Sequence, residues 1–271
     1  MHLFCFGLGY SARILAHNLQ KNGFKISGTC TNIDKQRYLT SLGFNIYILN
    51  NEVNEIDGNI LAGATHIVNS IPPLQEKSMV LKLLAQHNMA KLKWLGYLST
   101  TGVYGNHNGN IVDENSKLLA NNARTIARVA AEKDWLQFDI PANIFRLSGI
   151  YGNERNYFIS LTEGRARRIN KPGQLFSRIH VDDISNIVQH TIEQKITGEI
   201  YNCADDLPIE QEKVVKYAAE LINMPPPALV EYNDISLTAM QRSFYNNNRI
   251  IDNSKIKEKL GVQLLYPTYK A

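Results

Sequence analysis

The sequence of 271 residues has few cysteines, no long apolar run and no concentration of basic charge. Its three cysteines, Cys5, Cys30 and Cys203, are widely spaced in apolar segments, without a Cys-x-x-Cys pair or a Cys/His cluster. This pattern predicts reduced thiols in the core, and it excludes a disulfide scaffold and a zinc site. We therefore expect a cytoplasmic protein without a metal centre.

Membrane and nucleic-acid functions are also disfavoured. No apolar stretch approaches the ~20 residues of a membrane span, and the N-terminus lacks the basic and apolar segments of a signal peptide. The formal net charge of +4 comes from scattered residues. No basic patch is interleaved with aromatic side chains, as single-stranded nucleic-acid binding requires. The densest basic run, residues 165–168, is either a solvated helix end or a contact for an anionic ligand.

The first dozen residues carry the strongest motif. An apolar run over residues 2–6 precedes GLGYSA, which fits the G-x-G-x-x-A fingerprint of dinucleotide-binding proteins and opens a helix predicted over 11–21. Gly7 permits a tight turn, Gly9 lets a pyrophosphate approach the backbone, and Ala12 lets the helix pack closely on the strand. The free amides at the helix start face the phosphates. The predicted cofactor contacts are Gly7, Leu8, Gly9, Tyr10, Ser11 and Ala12.

Strand and helix patterns alternate over the first 150 residues. The later predicted strands lie at 24–30, 44–49, 65–69, 92–98 and 142–147, and the clearest helices between them at 77–88 and 118–138. This alternation predicts an α/β protein with a doubly wound parallel sheet of the Rossmann type. Beyond residue 150 the alternation fades, which indicates a smaller α/β substrate-binding lobe over 151–271. The sequence also allows part of this segment to return to the main sheet. Its predicted elements are short strands at 174–180 and 199–203 and helices at 182–193, 209–222 and 252–260.

The tip of the second predicted strand bears on the choice between NAD and NADP. An NAD site usually has an acidic residue there for the ribose 2′-hydroxyl, but this tip is Thr31 and Asn32. Lys35 either meets a 2′-phosphate or lies solvated on the next helix. We favour NADP, with NAD as the alternative. Further cofactor contacts are predicted where the following strands end, at Asn50, Ser70, Ile71 and Pro72.

Four later segments add to the fingerprint. They are STTGVYG at 99–105, RLSGIYG at 146–152, RIHVDD at 178–183 and YNCA at 201–204. In this order, they resemble the extended short-chain dehydrogenase/reductases of the NAD-dependent epimerase/dehydratase family, over nearly the whole chain. The resemblance implies a nicotinamide cofactor across the strand ends and a substrate, often a nucleotide-sugar, between sheet and lobe. It also implies that Ser99 lies beside the nicotinamide and that Thr100 is the catalytic hydroxyl.

One departure from the family pattern affects the chemistry. Active members carry Tyr-x-x-x-Lys on the helix after the fifth strand, where the tyrosine moves a proton and the lysine lowers its pKa. Aligned on Glu132, this chain has Arg124 and Arg128 at the two positions. Arginine stays protonated and cannot replace the phenol. We expect Arg128 to hold a ribose or phosphate and Arg124 to contact an anionic substrate, as in a bacterial subgroup that shares this altered helix.

Two functions stay open at this point. Tyr104, four residues after Thr100, is either a substitute acid/base or a packed residue of the Val-Tyr-Gly turn. The first function is an NAD(P)-dependent oxidoreductase or epimerase-like enzyme acting on a nucleotide-sugar or another anionic small molecule. The second is a catalytically impaired sensor that binds the cofactor and signals through a partner. A homodimer through the helix predicted at 118–138 is compatible with both.

Three residues of the C-terminal part are secondary candidates. Arg178 and Arg249 are placed to contact an anionic substrate, although a surface ion pair is equally consistent with Arg249. His180 is either a catalytic base or a structural residue, and we favour the structural role. We predict that it forms a hydrogen bond near the start of the helix that Asp182 or Asp183 caps.

Overall fold

A seven-stranded parallel sheet organises the computed structural model, which describes residues 1–50, 52–53, 55–73 and 79–271. The strands are β1 (His2–Phe6), β2 (Lys25–Cys30), β3 (Asn45–Ile48), β4 (His66–Asn69), β5 (Trp94–Thr100), β6 (Ile111–Val112), β7 (Asn143–Leu147), β8 (Gly149–Tyr151), β9 (Arg168–Asn170), β10 (Arg178–His180), β11 (Ile200–Cys203), β12 (Leu229–Glu231) and β13 (Ile250–Ile251). The helices are α1 (Tyr10–Lys21), α2 (Ile33–Ser41), α3 (Gly58–Ala62), α4 (Met79–Gln86), α5 (Ala123–Leu136), α6 (Tyr157–Thr162), α7 (Val181–Glu193), α8 (Gln211–Leu221), α9 (Ala239–Tyr245) and α10 (Ser254–Glu258).

The main sheet has the strand order β11-β7-β5-β4-β1-β2-β3. Side chains of β1 alternate between its two faces, with Leu3 and Cys5 in one apolar cluster and Phe4 and Phe6 in the other. The strand order reverses between β1 and β4, which places a topological switch point beside the end of β1. The predicted doubly wound parallel sheet is confirmed. No helix in the described part of the chain has the length and apolarity to cross a membrane.

The helix predicted over 118–138 is shorter than expected. It begins at Ala123 because Asn122 accepts the amide of Thr125 (3.1 Å) while the Thr125 hydroxyl accepts the amide of Asn122, which forms a capping box. Upstream, the amide of Leu119 donates to the carbonyl of Tyr104, so the preceding residues follow the turn after β5. The helix predicted over 77–88 is described from Met79, and its first two residues lie outside the described residues.

The chain after residue 150 contributes to two parts of the fold. Strand β11 pairs with β7 at the edge of the main sheet, and α7 packs on α1, where Asn18 Nδ2 donates to Ser185 Oγ (3.0 Å). Ile256 of α10 is buried in the core. The two-stranded pairs β8–β10 and β9–β12, together with α6, α8 and α9, form the remaining lobe. The boundary at residue 150 stays a prediction.

A buried polar network ties four elements of the fold together. Arg146 on β7 donates to the carboxylate of Glu132 on α5 (2.9 Å), and both side chains are 3% exposed. Ser99 Oγ of β5 donates to the same carboxylate (2.5 Å). Arg146 also donates to the hydroxyl of Tyr104 (2.8 Å), which donates to Asn202 of β11 (2.7 Å). Because every member has a partner, this network fixes β5, α5, β7 and β11 relative to one another.

We predict that Glu132→Ala lowers the free energy of unfolding by about 3–5 kcal/mol, because it leaves the Arg146 guanidinium buried without its counter-charge. Urea denaturation followed by circular dichroism measures this change. The control is Glu163→Ala, which removes an exposed carboxylate paired with Arg165 and costs about 0–1 kcal/mol. Equal losses of unfolding free energy in the two variants would show that the buried ion pair contributes no more to stability than the exposed one.

Candidate functional site

The fingerprint turn is held by backbone geometry that requires glycine. Gly7 adopts φ +79°, and its amide donates to Thr29 Oγ1 (2.8 Å). The amide of Leu8 donates to the carbonyl of Thr29 (2.8 Å). A Cβ added to Gly7 would lie 2.8 Å from Cγ1 of Ile71, so both the backbone angle and the space exclude a larger residue.

The start of α1 is open and positively polarised. Gly9 caps the helix without a side-chain hydrogen bond from the described residues, and no acidic residue lies in the first turn. A Cβ built on Gly9 has only the Gly7 carbonyl oxygen within reach, at 4.0 Å. Ala12 is buried against the sheet, while Ser11 lies in the first turn and is partly exposed. Free amides and the positive end of the helix dipole fit the pyrophosphate of a dinucleotide.

Two side chains of the motif point elsewhere. Leu8 is fully buried in the core, beside Gly28 of β2, so only its backbone belongs to the turn. The ring of Tyr10 lies under the guanidinium of Arg155, 4.9 Å from its centroid. The Tyr10 hydroxyl is buried and has no hydrogen-bond partner among the described residues. Tyr10 therefore links the fingerprint helix to the loop after β8.

The tip of β2 is built from neutral groups. Asn32 caps α2 by accepting the amide of Lys35 (2.9 Å), and Asn50 Nδ2 donates to the carbonyl of Thr31 (3.1 Å). No carboxylate occupies the tip itself, because the next acid, Asp34, lies exposed in the first turn of α2. Lys35 is half-buried beside the tip. Asn50 thus braces the predicted ribose site from the β3 side.

The loop after β4 supports the glycine turn. Ser70 Oγ donates to the carbonyl of Gly7, and the amide of Ile71 donates to Oδ1 of Asn69 (2.9 Å). Pro72 is exposed at the end of this loop. The structure brings Ser70 and Ile71 to the fingerprint, where their observed contacts are with the protein itself, and their cofactor roles stay predictions.

Three hydroxyl residues at the end of β5 and in the turn after it, Ser99, Thr100 and Tyr104, have different surroundings. Ser99 is 4% exposed and is committed to Glu132, so its hydroxyl belongs to the buried network. Thr100 is partly exposed and accepts the amide of Gly102 (3.1 Å). Tyr104 is fully buried, and its burial raises the pKa of the phenol to about 12. Only Thr100 of these three is placed to meet a ligand, and Tyr104 is a packed residue instead of a substitute acid/base.

The two arginines at the Tyr-x-x-x-Lys positions also differ. Arg128 donates through Nη1 to the carbonyl of Leu98 (2.7 Å) and the hydroxyl of Tyr97 (3.1 Å), so it is fastened to β5. Arg124 is exposed, with its guanidinium 5.3 Å from the ring centroid of Phe244 on α9. Arg124 therefore faces the C-terminal lobe, whereas Arg128 supports the sheet.

A large cleft opens where β5 and β7 end. Its volume is about 1400 Å³, and its lining includes Thr100 and Arg124 on the sheet side. The positively charged lining residues are Arg124, Arg155, Arg165, Arg167, Arg178, Arg249 and Lys270. No Asp or Glu belongs to this lining among the residues that the structure describes. The fingerprint residues lie outside the lining, and the cleft adjoins them at Arg155, whose guanidinium lies over the Tyr10 ring. The described chain also contains no cluster of residues suited to hold a metal ion.

Sequence analysis identified only part of this charged lining. Arg155 and Lys270 were missed because neither lies in a motif. The basic run at 165–168 contained a usable signal. Arg165 and Arg167 line the cleft, while Arg168 pairs with Glu212 (2.9 Å). Arg165 is also paired, with Glu163, so the anion-contact interpretation suits Arg167 best.

Two further arginines sit deeper in the cleft. Arg178 Nη1 donates to the carbonyl of Phe176 (2.8 Å), and Arg249 Nη1 donates to the carbonyl of Gly105 (2.9 Å). Arg249 Nε is buried without a partner among the described residues, and burial lowers the pKa of this guanidinium to about 10. An anion in the cleft would give the buried Nε of Arg249 the hydrogen-bond partner that it lacks in the described chain.

His180 has a structural role, as predicted, but it caps α7 itself, whereas the cap was expected at Asp182 or Asp183. Its Nδ1 accepts the amide of Asp182 (3.2 Å) at the start of α7, and its ring stacks on Tyr266 with centroids 3.6 Å apart. Burial lowers the pKa of the imidazole. Because Nδ1 accepts the Asp182 amide, the ring proton is assigned to Nε2.

A buried carboxyl lies behind Arg178. Asp205 is 2% exposed, and its amide donates to the carbonyl of Arg178 (2.6 Å). Its Oδ1 accepts the amide of Leu207 (3.3 Å), but Oδ2 is without a partner in the described chain. Burial raises the pKa of this carboxyl from 3.8 to about 7.

The chain resembles known proteins in both sequence and structure. No protein-family model matches the sequence. The structure of a functionally unknown conserved protein from Silicibacter pomeroyi DSS matches with a TM-score of 0.92 and 41% identity, over 99% of this chain and 95% of that one. Protein YeeZ of Escherichia coli K12 is 25% identical in an alignment of 285 positions, which covers 96% of this chain and 94% of YeeZ.

A more distant neighbour shows the fold alone. The dTDP-glucose 4,6-dehydratase of Bacillus anthracis str. Ames, solved in complex with NAD, matches with a TM-score of 0.75 at 17% identity. The match covers 98% of this chain and 92% of the dehydratase.

The raised pKa of Asp205 predicts a pH-dependent stability. The unfolded chain releases this proton near pH 3.8 and the folded chain near pH 7, so folding loses free energy as the pH rises between these values. Raising the pH from 5 to 8 should lower the stability of the wild type by about 2–3 kcal/mol relative to Asp205→Asn. Urea denaturation at both pH values measures it. The control is Asp206→Asn, at a more exposed neighbour, which should keep the wild-type pH dependence of stability. If Asp205→Asn lost the same stability as the wild type between pH 5 and 8, Asp205 would not be the titrating group.

Proposed function

The chain belongs to the same family as the Silicibacter pomeroyi protein and has the fold of the NAD-dependent epimerases and dehydratases, and from this premise we propose that it is a nicotinamide-dependent oxidoreductase or epimerase-like enzyme. Its substrate is a nucleotide-sugar or another anionic small molecule. The observation that carries the proposal is the cleft, whose described lining combines Thr100 with six arginines and one lysine and contains no Asp or Glu.

The cofactor half of the proposal is supported by the open start of α1. Gly9 leaves the helix amides accessible, and Gly7 and Ser70 hold the turn that presents them. When bound, the nicotinamide supplies or accepts a hydride. NADP suits the tip of β2 better than NAD, because Asn32 stands where an acid would bind the ribose and Lys35 adds a positive charge for a 2′-phosphate.

The substrate half is supported by charge and placement. Thr100 offers a hydroxyl to a substrate oxygen at the sheet edge, and Arg124 provides a permanent positive charge on the facing helix. Guanidinium groups bind phosphate oxygens through paired hydrogen bonds. Arg178 and Arg249 are placed deeper in the cleft to hold such a group. A diphosphate, as in a nucleotide-sugar, satisfies this distribution of charge.

A second candidate function is a cofactor-binding sensor. It is favoured by the observation that Arg128 is fastened to β5 and that Tyr104 is buried. Neither residue can move a proton in the cleft, so the usual proton relay of the fold has no substitute at these positions. In both functions we propose a cytoplasmic protein, and a homodimer through α5, where Ile126 is 55% exposed.

We predict that Gly9→Ala weakens NADPH binding at least tenfold without loss of stability. The backbone of Gly9 has φ −77°, which alanine accepts, but the new Cβ would occupy the space over the helix amides. Fluorescence titration with NADPH measures affinity, and thermal unfolding measures stability. Gly63→Ala is the matched control, because φ is −83° there and the added Cβ meets only ordinary contacts. Equal NADPH affinity in the two variants would place the cofactor elsewhere.

The two candidate functions differ in the expected effect of restoring the proton relay. For the enzyme we expect the wild type to oxidise NADPH with at least one member of a panel of nucleotide-sugars and small ketones. Its rate should equal or exceed that of Arg124→Tyr/Arg128→Lys, since the cleft is adapted to arginine. Circular dichroism checks that the double variant still folds. Turnover by the double variant alone, with NADPH bound by both proteins, would favour the sensor.

A further inference from the structure

The cleft has a second property that its positive charge does not explain. Three large apolar side chains on its walls are well exposed, namely Phe158 at 39%, Leu221 at 54% and Phe244 at 50%. Apolar side chains grouped inside a concave site mark contact with a ligand, whereas single exposed ones elsewhere need no explanation. The substrate therefore has to cover apolar surface as well as neutralise charge.

The largest apolar wall is built by two helices of the lobe. Val214, Ala218 and Leu221 of α8 face the cleft at helical spacing, so they form one stripe. Phe158 of α6 adds to the same wall. Leu161 of α6 and Val215 of α8 pack beneath in a small core, which gives the wall a rigid base.

A second apolar surface faces the cleft from α9. Phe244 and Leu237 belong to the lining, and the ring of Phe244 lies beneath the guanidinium of Arg124. Within α9 itself only Tyr245 is buried, so Phe244 has little protein to pack against. Positive charge and apolar surface thus alternate around the cleft.

We propose that the cleft takes an amphipathic anion, a phosphate or diphosphate ester of an apolar alcohol. The anionic group lies with Arg178 and Arg249, and the apolar body lies along Leu221 and Phe158. This inference rests on the proposed function, because it takes the cleft as the substrate site. The cleft of about 1400 Å³ exceeds the roughly 300–1,000 Å³ of ordinary small-molecule sites, which leaves space for an extended body.

A nucleotide-sugar matches the charges but not the apolar walls. Its hydroxyl-rich sugar would leave exposed side chains such as Leu221 in contact with polar groups. Each methylene buried against such a wall instead tightens binding about threefold to fourfold. The apolar chain therefore decides the affinity once the anionic group is held.

The test compares three probes that share a diphosphate. Isothermal titration of the full chain with geranyl diphosphate, UDP-glucose and inorganic diphosphate should give a Kd for geranyl diphosphate at least tenfold below the other two. A tighter Kd for UDP-glucose, or equal values for geranyl and inorganic diphosphate, would overturn the inference. Tighter UDP-glucose binding with NADPH bound would leave the proposed function intact. Tight geranyl diphosphate binding without NADPH binding would instead remove the proposed function.

Matched variants separate the apolar wall from the anion site. Leu221→Ser should weaken geranyl diphosphate at least threefold and leave inorganic diphosphate unchanged. Leu229→Ser is the control, because this leucine is 46% exposed on β12 and lies outside the cleft lining. Arg178→Gln should weaken both probes together. Equal effects of the two leucine variants would show that the wall does not contact the ligand.

Discussion

The ion pair between Arg146 and Glu132 is the interaction on which the site depends. Both groups are buried, so each requires the other and the hydrogen bonds that complete the network. The pair draws in Ser99 and Tyr104, and it thereby fixes the end of β5 against α5 and β11. Thr100 follows Ser99 directly and emerges into the cleft from this rigid base. The position of the proposed reactive hydroxyl is thus a consequence of charge burial behind it.

The cleft is governed by the opposite arrangement of charge. Arg178 and Arg249 face a space without a carboxylate from the described lining, although carboxylates are available close by. Glu132 and Asp205 lie behind the sheet edge and are 2% exposed. Glu132 is neutralised by Arg146, and burial raises the pKa of Asp205 to about 7, which favours its uncharged form below that pH. These buried acids therefore offset little of the positive charge that the cleft lining presents to an anion.

The sequence was sufficient for the cofactor turn and insufficient for the chemistry. Local rules apply to β1, Gly7 and α1, because strand periodicity and glycine geometry act within a dozen residues. The roles of Ser99 and Tyr104 depend on partners 33 and 98 residues away, which no local pattern reports. The predicted start of α5 was too early for the same reason. Leu119 is hydrogen-bonded to Tyr104 in a turn that precedes the helix, and this contact is not visible in the local pattern. Local sequence patterns therefore predicted the fold. Hydrogen bonds between distant residues determine which side chains are buried and which face the cleft.

The two arginines of α5 have different surroundings, although they occupy equivalent positions on successive turns of the helix. They lie one turn apart on the same face, yet Arg128 reaches the carbonyl of Leu98 while Arg124 remains at the cleft. Thr125 packs beside Gly102, which sets this turn of the helix against the end of β5. A phenol in place of Arg124 would exchange protons with a substrate, whereas a guanidinium holds its charge through the reaction. In the proposed enzyme, Thr100 and Arg124 therefore stabilise negative charge on the substrate, and the proton comes from the substrate or the solvent.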